Sequence, residues 1–177
     1  MEFHVCGLDT LRQDLAKFQP THVLSVIEKE HTPDLSNFAW SVQDHKVVNF
    51  HDVFNPNAIG APTKDDCAKI YSWIVQLPLD AKVLVHCMAG ISRSTASMFM
   101  IILFNSIVVN PFLEFSEHLK IAKKKLVEVR KIAFPSPLMA KYFDELALAQ
   151  GELVKTIEEI RKESPSALIF GYTYDED

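Results

Sequence analysis

The sequence is poor in cysteine, with only Cys6, Cys67 and Cys87 among 177 residues. Three thiols so scattered cannot form a disulfide framework, and no pair has metal-ligand spacing, so neither a metal nor another cofactor is expected. An odd number points instead to reduced thiols, one of them available for chemistry. Positive charge is not in excess either. Lys and Arg number 18 against 23 Asp and Glu, a net charge of −5. That balance argues against a nucleic-acid partner, whose binding would rest on a basic face. It does not exclude a phosphorylated substrate, for which a few well-placed donors suffice. Long apolar runs are missing too. The longest, residues 98–104 continued by 107–109, is broken by Asn105-Ser106 and is too short to span a bilayer, so no membrane contact is expected. The opening Met1-Glu2-Phe3-His4 lacks the charged-then-apolar pattern of a secretory leader, and the expectation is a cytoplasmic protein. No internal repeat or low-complexity segment is visible.

Short β-rich runs instead alternate with longer helical patterns. This predicts an α/β fold: a central, mostly parallel sheet of about four to five strands flanked by helices, with a helical C-terminal half. The strand candidates are residues 3–6, 21–27, 47–50 and 82–86. The second and fourth are near-continuous apolar runs, as expected of strands covered on both faces. Thr63-Lys64-Asp65-Asp66 reads as a capping box. It opens a helix carrying Cys67, Ile70, Tyr71, Ile74 and Leu77 at helical spacing and closed by Pro78. A helix apolar on most sides, hence buried, follows over about 92–109. Asn110-Pro111 reads as the start of a third helix running to about 125, and Ser136-Pro137 as the start of a fourth over 138–149. A short amphipathic stretch covers 152–162. The length fits a single domain, placed at 1–163, with a tail over 164–177 that carries Leu168, Ile169, Phe170 and Tyr172.

The specific chemistry lies at Val83-Leu84-Val85-His86-Cys87-Met88-Ala89-Gly90-Ile91-Ser92-Arg93-Ser94-Thr95. An apolar strand runs into a cysteine, an arginine follows beyond five intervening residues, and a helix begins there. A loop turning from strand to helix can aim successive backbone N–H groups inward, and the helix N-terminus adds partial positive charge, so the segment suits an anion. Gly90 supplies a position where positive φ costs little. Arg93 supplies a planar fork matching two oxygens of a tetrahedral phosphate. A Cys87 thiolate at the mouth of that cradle is stabilised by the same groups, which yields a nucleophile without an adjacent base. The cradle also matches the charge that phosphoryl transfer spreads over three equatorial oxygens.

His86 through Ser94 resembles the phosphate loop of the protein tyrosine phosphatase superfamily, His-Cys-x5-Arg-Ser/Thr, and is most similar to its dual-specificity branch. Around the loop the resemblance is diffuse, extending loosely over about residues 20–145. It implies a phosphatase-like fold and hydrolysis of phosphotyrosine, with phosphoserine and phosphothreonine as further substrates, through a cysteinyl-phosphate intermediate. It also implies a phosphorylated protein as partner and a monomeric enzyme. Cys87 is then the nucleophile, Arg93 the phosphate clamp, Ser94 the hydroxyl that assists departure of the thiolate, and His86 the residue that orients the cysteine. The backbone amides of Met88, Ala89, Gly90, Ile91, Ser92 and Arg93 would bind the phosphate.

The family also needs an aspartate as general acid, on a separate loop some thirty-odd residues earlier. Asp52 follows the strand over 47–50 and lies on the rim where ligands bind in such sheets, outside the carboxyl ends of the strands. His51 beside it either assists or is merely solvated. Asp65 and Asp66 fall in the first turn of a helix, where capping explains them, and Asp44 lies ahead of the strand and would fall at the wrong end of the sheet. Cys6 and Cys67 read as core residues; one of them forming a protective disulfide with Cys87 under oxidation is the sharper alternative. Lys123-Lys124-Lys125 with Arg130-Lys131 reads as a solvated basic face, with steering of acidic substrates as the functional alternative. Other readings are a phosphatase of phosphoinositides or RNA 5′-phosphates, a non-catalytic phosphopeptide-binding module, and a rhodanese-like sulfur carrier. The uncharged Met88, Ala89, Ile91 and Ser92 count against phosphoinositides, and the arginine spacing with His86 and Ser94 counts against sulfur transfer.

Overall fold

Four parallel strands form one sheet in the computed structural model, which describes residues 1–167. They are β1 (Glu2–Cys6), β2 (His22–Ile27), β3 (Asp44–Asn49) and β4 (Lys82–His86), in the spatial order β1-β4-β2-β3. Every residue of β2 is buried, because helices or turns cover both faces of a central parallel strand. Ser25 of β2 lies opposite His86 of β4, so the C-terminal ends of the two inner strands are neighbours. The segments that leave β1, β2, β3 and β4 at that end therefore share one rim.

One face of the sheet packs Val5, Leu24, Val26, Val48, Val83 and Val85 into the main core. Against it lie α2 (Lys64–Ile74) and α3 (Arg93–Val109), with α4 (Phe115–Val129), α5 (Pro137–Ala147) and α6 (Glu152–Glu163) beyond. α3 is buried from Arg93 to Leu103 and starts where the Cys87 loop ends. The other face packs Cys6, Val23 and Leu84 against Leu11 and Leu15 of α1 (Leu11–Phe18).

Local signals explain most boundaries. The Thr63 hydroxyl accepts from the Asp66 amide and the Asp66 carboxylate accepts from the Thr63 amide, so the capping box opens α2 as expected. Ser136 accepts from Met139 N at the start of α5, with Pro137 in the first turn. The buried Asp144 carboxylate holds the start of α6, accepting from Gly151 N at 2.8 Å and Leu153 N at 3.1 Å.

Three expectations need correction. α1 was not anticipated, although Leu11, Leu15 and Phe18 have helical spacing; the Thr10 side chain makes no cap to announce it. Asn110-Pro111 does not open α4. Asn110 instead ends α3, its amide donating to Ser106 O at 3.0 Å, and the chain turns until Phe115. β3 begins at Asp44, earlier than the apolar run suggested, because Asp44 and His45 extend the ladder opposite His22 and Val23. Of the expected tail, Pro165–Ala167 forms a 3₁₀ turn whose Ser166 Oγ donates to Ile132 O at 2.9 Å. Leu168, Ile169, Phe170 and Tyr172 lie outside the described residues.

Candidate active site

The loop from Cys87 to Ser92 has its backbone carbonyls tied outward one after another. Met88 O accepts from Leu8 N at 2.9 Å, and Ile91 O accepts from Phe134 N at 2.9 Å. Between them, Gly90 O accepts from Arg130 Nε at 2.8 Å and Ala89 O from Arg130 Nη2 at 3.2 Å. With these carbonyls tied outward, the amides of Met88, Ala89, Ile91 and Ser92 donate to no backbone carbonyl among the described residues. The Gly90 amide points at Cys87 Sγ, 3.3 Å away. Successive inward N–H groups of this kind make an anion nest at the start of a helix.

Gly90 has φ +68°, and a Cβ there would lie 2.4 Å from the Cys6 carbonyl carbon. Only glycine lets the loop rest on the end of β1. Arg130 corrects the reading of a uniformly solvated basic face. Lys123 and Lys125 pair with surface glutamates, Lys123 with Glu159 at 3.0 Å and Glu163 at 2.7 Å, while Arg130 braces the loop from behind. Nothing in the sequence pattern distinguished it from its lysine neighbours.

Cys87 sits at the floor of the nest, 1% exposed, with Sγ 3.1 Å from Ser94 Oγ. Arg93, 2% exposed, donates from Nη1 to Phe50 O at 2.7 Å, and the same nitrogen lies 3.0 Å from Glu28 Oε1. Its Nε is buried without a hydrogen-bond partner, 3.7 Å from Asp52 Oδ2. One edge of the guanidinium is thus fixed by protein and another donor remains for an anion. Sequence reasoning missed Glu28. It follows β2 directly, on the ligand-binding rim, and that position was the signal. Burial pushes the Glu28 carboxyl up, but its own backbone amide and the Arg93 guanidinium prevail and hold it below the usual range.

Asp52 is brought to this cluster and Asp65, Asp66 and Asp44 are not. The Asp52 carboxylate accepts from Ser92 Oγ at 2.8 Å. Burial raises its pKa above the ordinary value, and only part of that rise is offset by Ser92 and Arg93. Its side chain is 31% exposed, and the carboxyl end faces Ser92 Oγ at 2.8 Å and Arg93 Nε at 3.7 Å. Asp66 serves the capping box, Asp65 pairs with Lys69 at 2.8 Å, and Asp44 accepts a hydrogen bond from Trp73 Nε1 at the far end of the sheet. His51 packs its ring on Gly60 and its amide donates to Gly60 O at 2.8 Å, which closes the loop that carries Asp52.

His86 is fully buried, with Nε2 2.6 Å from Ser25 Oγ. Burial drives its pKa down to about 4, the Cys87 backbone opposing, so the ring is neutral at physiological pH. Cys6 and Cys67 are buried free thiols. Burial pushes both upward, Cys6 with help from Asp14 and Cys67 to about 12. Among the described residues there is no cluster of His, Cys, Asp and Glu able to hold a metal, and no helix is long and apolar enough to cross a membrane.

No protein-family model and no curated protein matches the chain. Solved structures do. The Yvh1 phosphatase domain from Chaetomium thermophilum matches with a TM-score of 0.58 at 22% identity, over 84% of this chain and 91% of that one. DUSP15 matches with a TM-score of 0.55 at 23% identity, over 92% of this chain and 94% of that one. OH1 of the Orf virus, a tyrosine phosphatase, matches with a TM-score of 0.57 at 12% identity, over 82% of each chain. The resemblance carried by residues 86–94 therefore reaches well beyond the loop: the chain has the fold of the protein tyrosine phosphatase superfamily, in the form taken by its dual-specificity branch.

Proposed function

We propose that this chain is a cysteine-dependent protein phosphatase that hydrolyses phosphotyrosine, and phosphoserine and phosphothreonine where the pocket admits them. The observation that carries the reading is the row of outward-tied carbonyls from Met88 to Ile91, which leaves inward amides around a cysteine sulfur. That arrangement suits a phosphoryl group in flight, whose charge is spread over equatorial oxygens.

In this proposal Cys87 Sγ attacks phosphorus while the bond to the leaving oxygen breaks. Asp52, kept protonated to higher pH by burial, gives its proton to that oxygen. Arg93 Nε and the loop amides hold the equatorial oxygens. A water then attacks the cysteinyl phosphate, giving its proton to Asp52, and Ser94 Oγ, 3.1 Å from the sulfur, hydrogen-bonds the departing thiolate. One chain supplies every group, so a monomer suffices.

A panel of phosphotyrosine peptide, phosphothreonine peptide, a soluble phosphoinositide and 5′-triphosphorylated RNA tests the reading, run with wild type and Cys87→Ser. Turnover of the phosphotyrosine peptide, inhibited by orthovanadate and abolished in the Ser variant, is expected. A Ser variant keeping a tenth of wild-type activity would refute the covalent route. Preference for the phosphoinositide or the RNA would move the substrate class.

A further inference from the structure

His86 does not end in an isolated hydroxyl. Ser25 Oγ, 2.6 Å from His86 Nε2, is also 2.7 Å from His45 Nε2. Ser25 and His86 are fully buried, whereas His45, on the edge strand β3, is half-buried and reachable by solvent protons. Three side chains from three adjacent strands thus form a continuous path from the protein surface to the residue before Cys87.

The chemistry of the middle member constrains the outer two. A serine hydroxyl has one proton to give and lone pairs to receive. Accepting from both imidazoles would leave its own proton without a side-chain or backbone acceptor among the described residues, so the satisfied arrangement donates to one ring and accepts from the other. Either His45 donates and His86 Nε2 receives, or His86 Nε2 donates and His45 receives. In the first case the neutral His86 carries its proton on Nδ1, which is buried beside Cys87 without a hydrogen-bond partner among the described residues. In the second case Nδ1 is bare. When His45 takes up a proton, both of its ring nitrogens carry hydrogen and it can only donate. The hydroxyl then turns to His86, and the second arrangement is no longer available.

We propose that Ser25 and His45 are positioning residues that select the tautomer of His86, so that a proton bound at the surface orders the dipole beside the Cys87 nucleophile. The charged groups acting on the two rings are Asp44, next to His45, which favours its protonated form, and Arg93, which disfavours charge on His86; Cys87 adjoins His86. Burial lowers the His45 pKa, so the ordering sets in on the acid side of the usual histidine range. The consequence for Cys87 rests on its being the nucleophile; the tautomer selection does not.

The test is long-range proton–nitrogen correlation NMR on the 15N-histidine-labelled full chain between pH 5 and 8, alongside iodoacetamide alkylation of Cys87 by mass spectrometry. In wild type, His86 should be the pure Nδ1–H tautomer once His45 is charged and should change its tautomer balance as His45 titrates. The Cys87 alkylation rate should show a matching inflection of about threefold, near the lower end of what one hydrogen bond contributes. In His45→Ala, checked for an unchanged melting temperature, the tautomer change should vanish, and the alkylation profile should keep only the dependence due to ionisation of the thiol itself. Ser25→Ala should uncouple the two rings in the same spectra. A His86 tautomer that ignores the His45 titration, or an alkylation inflection at the wild-type His45 midpoint that survives in His45→Ala, overturns the proposal. Because neither readout needs phosphatase turnover, an inactive protein with coupled rings would sink the phosphatase reading alone.

Discussion

Glu28→Gln isolates one charge at the heart of the site. Glu28 Oε1 lies 3.0 Å from Arg93 Nη1, the Glu28 side chain is 15% exposed, and the Arg93 side chain is 2% exposed. Removing one member of a buried pair strands the other, at a cost of about 3–5 kcal/mol. Residual exposure of Glu28 and the Phe50 carbonyl still held by Arg93 argue for the lower end, about 3 kcal/mol. For a domain of this size that is a fall in melting temperature of roughly 6–12 °C. The loss must also depend on pH in a defined sense. The Glu28 carboxyl is held below its ordinary pKa despite burial, so its contribution is complete above the unfolded value and disappears as pH falls through the folded one. Melts of wild type and variant should therefore differ fully at pH 7 and converge below about pH 4. A kinetic effect should accompany them. Glu28 helps to raise the Asp52 pKa and Arg93 lowers it, so discharging Glu28 and freeing Arg93 push the same way. The basic limb of the kcat profile should move to lower pH. Coincident melts at pH 7 would refute the pair, and a deficit equally large at pH 3 would show that shape rather than charge was lost.

Asp52→Asn should slow a phosphotyrosine peptide by about 10²-fold, matter far less for an aryl phosphate with a good leaving group, and flatten the basic limb of the profile; Asp66→Asn should cost about 1 kcal/mol and leave the profile alone. The reverse pattern would place the acid on α2. Arg130→Met removes both donors from the Ala89 and Gly90 carbonyls, so orthovanadate inhibition should weaken about tenfold, the worth of roughly one hydrogen bond. Unchanged inhibition would mean that the loop holds its shape without the brace. Iodoacetate at pH 6 should label Cys87 ahead of Cys6 and Cys67, whose buried thiols resist ionisation; equal labelling of the three in the folded chain would contradict this.

The sequence was readable where physics is local. The apolar runs of β2 and β4, the capping box at Thr63 and the Ser136-Pro137 pair each depend on residues a few positions apart, and each appears where expected. The Cys87 loop was equally legible, since the spacing of Cys87, Gly90, Arg93 and Ser94 contains most of its geometry. Asn110-Pro111 misled because the same dipeptide suits a turn as well as a helix start. Glu28, Arg130, Ser25 and His45 were invisible for another reason. Each acts across the sheet or from a distant helix, on partners 20 to 65 positions away, and no periodicity encodes that distance.

The outward ties of the Cys87 loop also bear on how the chain folds. Its carbonyls are held by Leu8, eighty positions earlier, and by Arg130 and Phe134, some forty positions later. The Leu8 tie spans the same eighty positions as the pairing of β1 with β4, whereas the Arg130 and Phe134 ties need residues made later. A chain emerging from synthesis can build the sheet from β1 to β4 but cannot yet shape the nest, since the brace lies in residues still to come. The proposed nucleophile thus lacks the ties to the Ala89, Gly90 and Ile91 carbonyls until the segment over 130–134 has been made and packed.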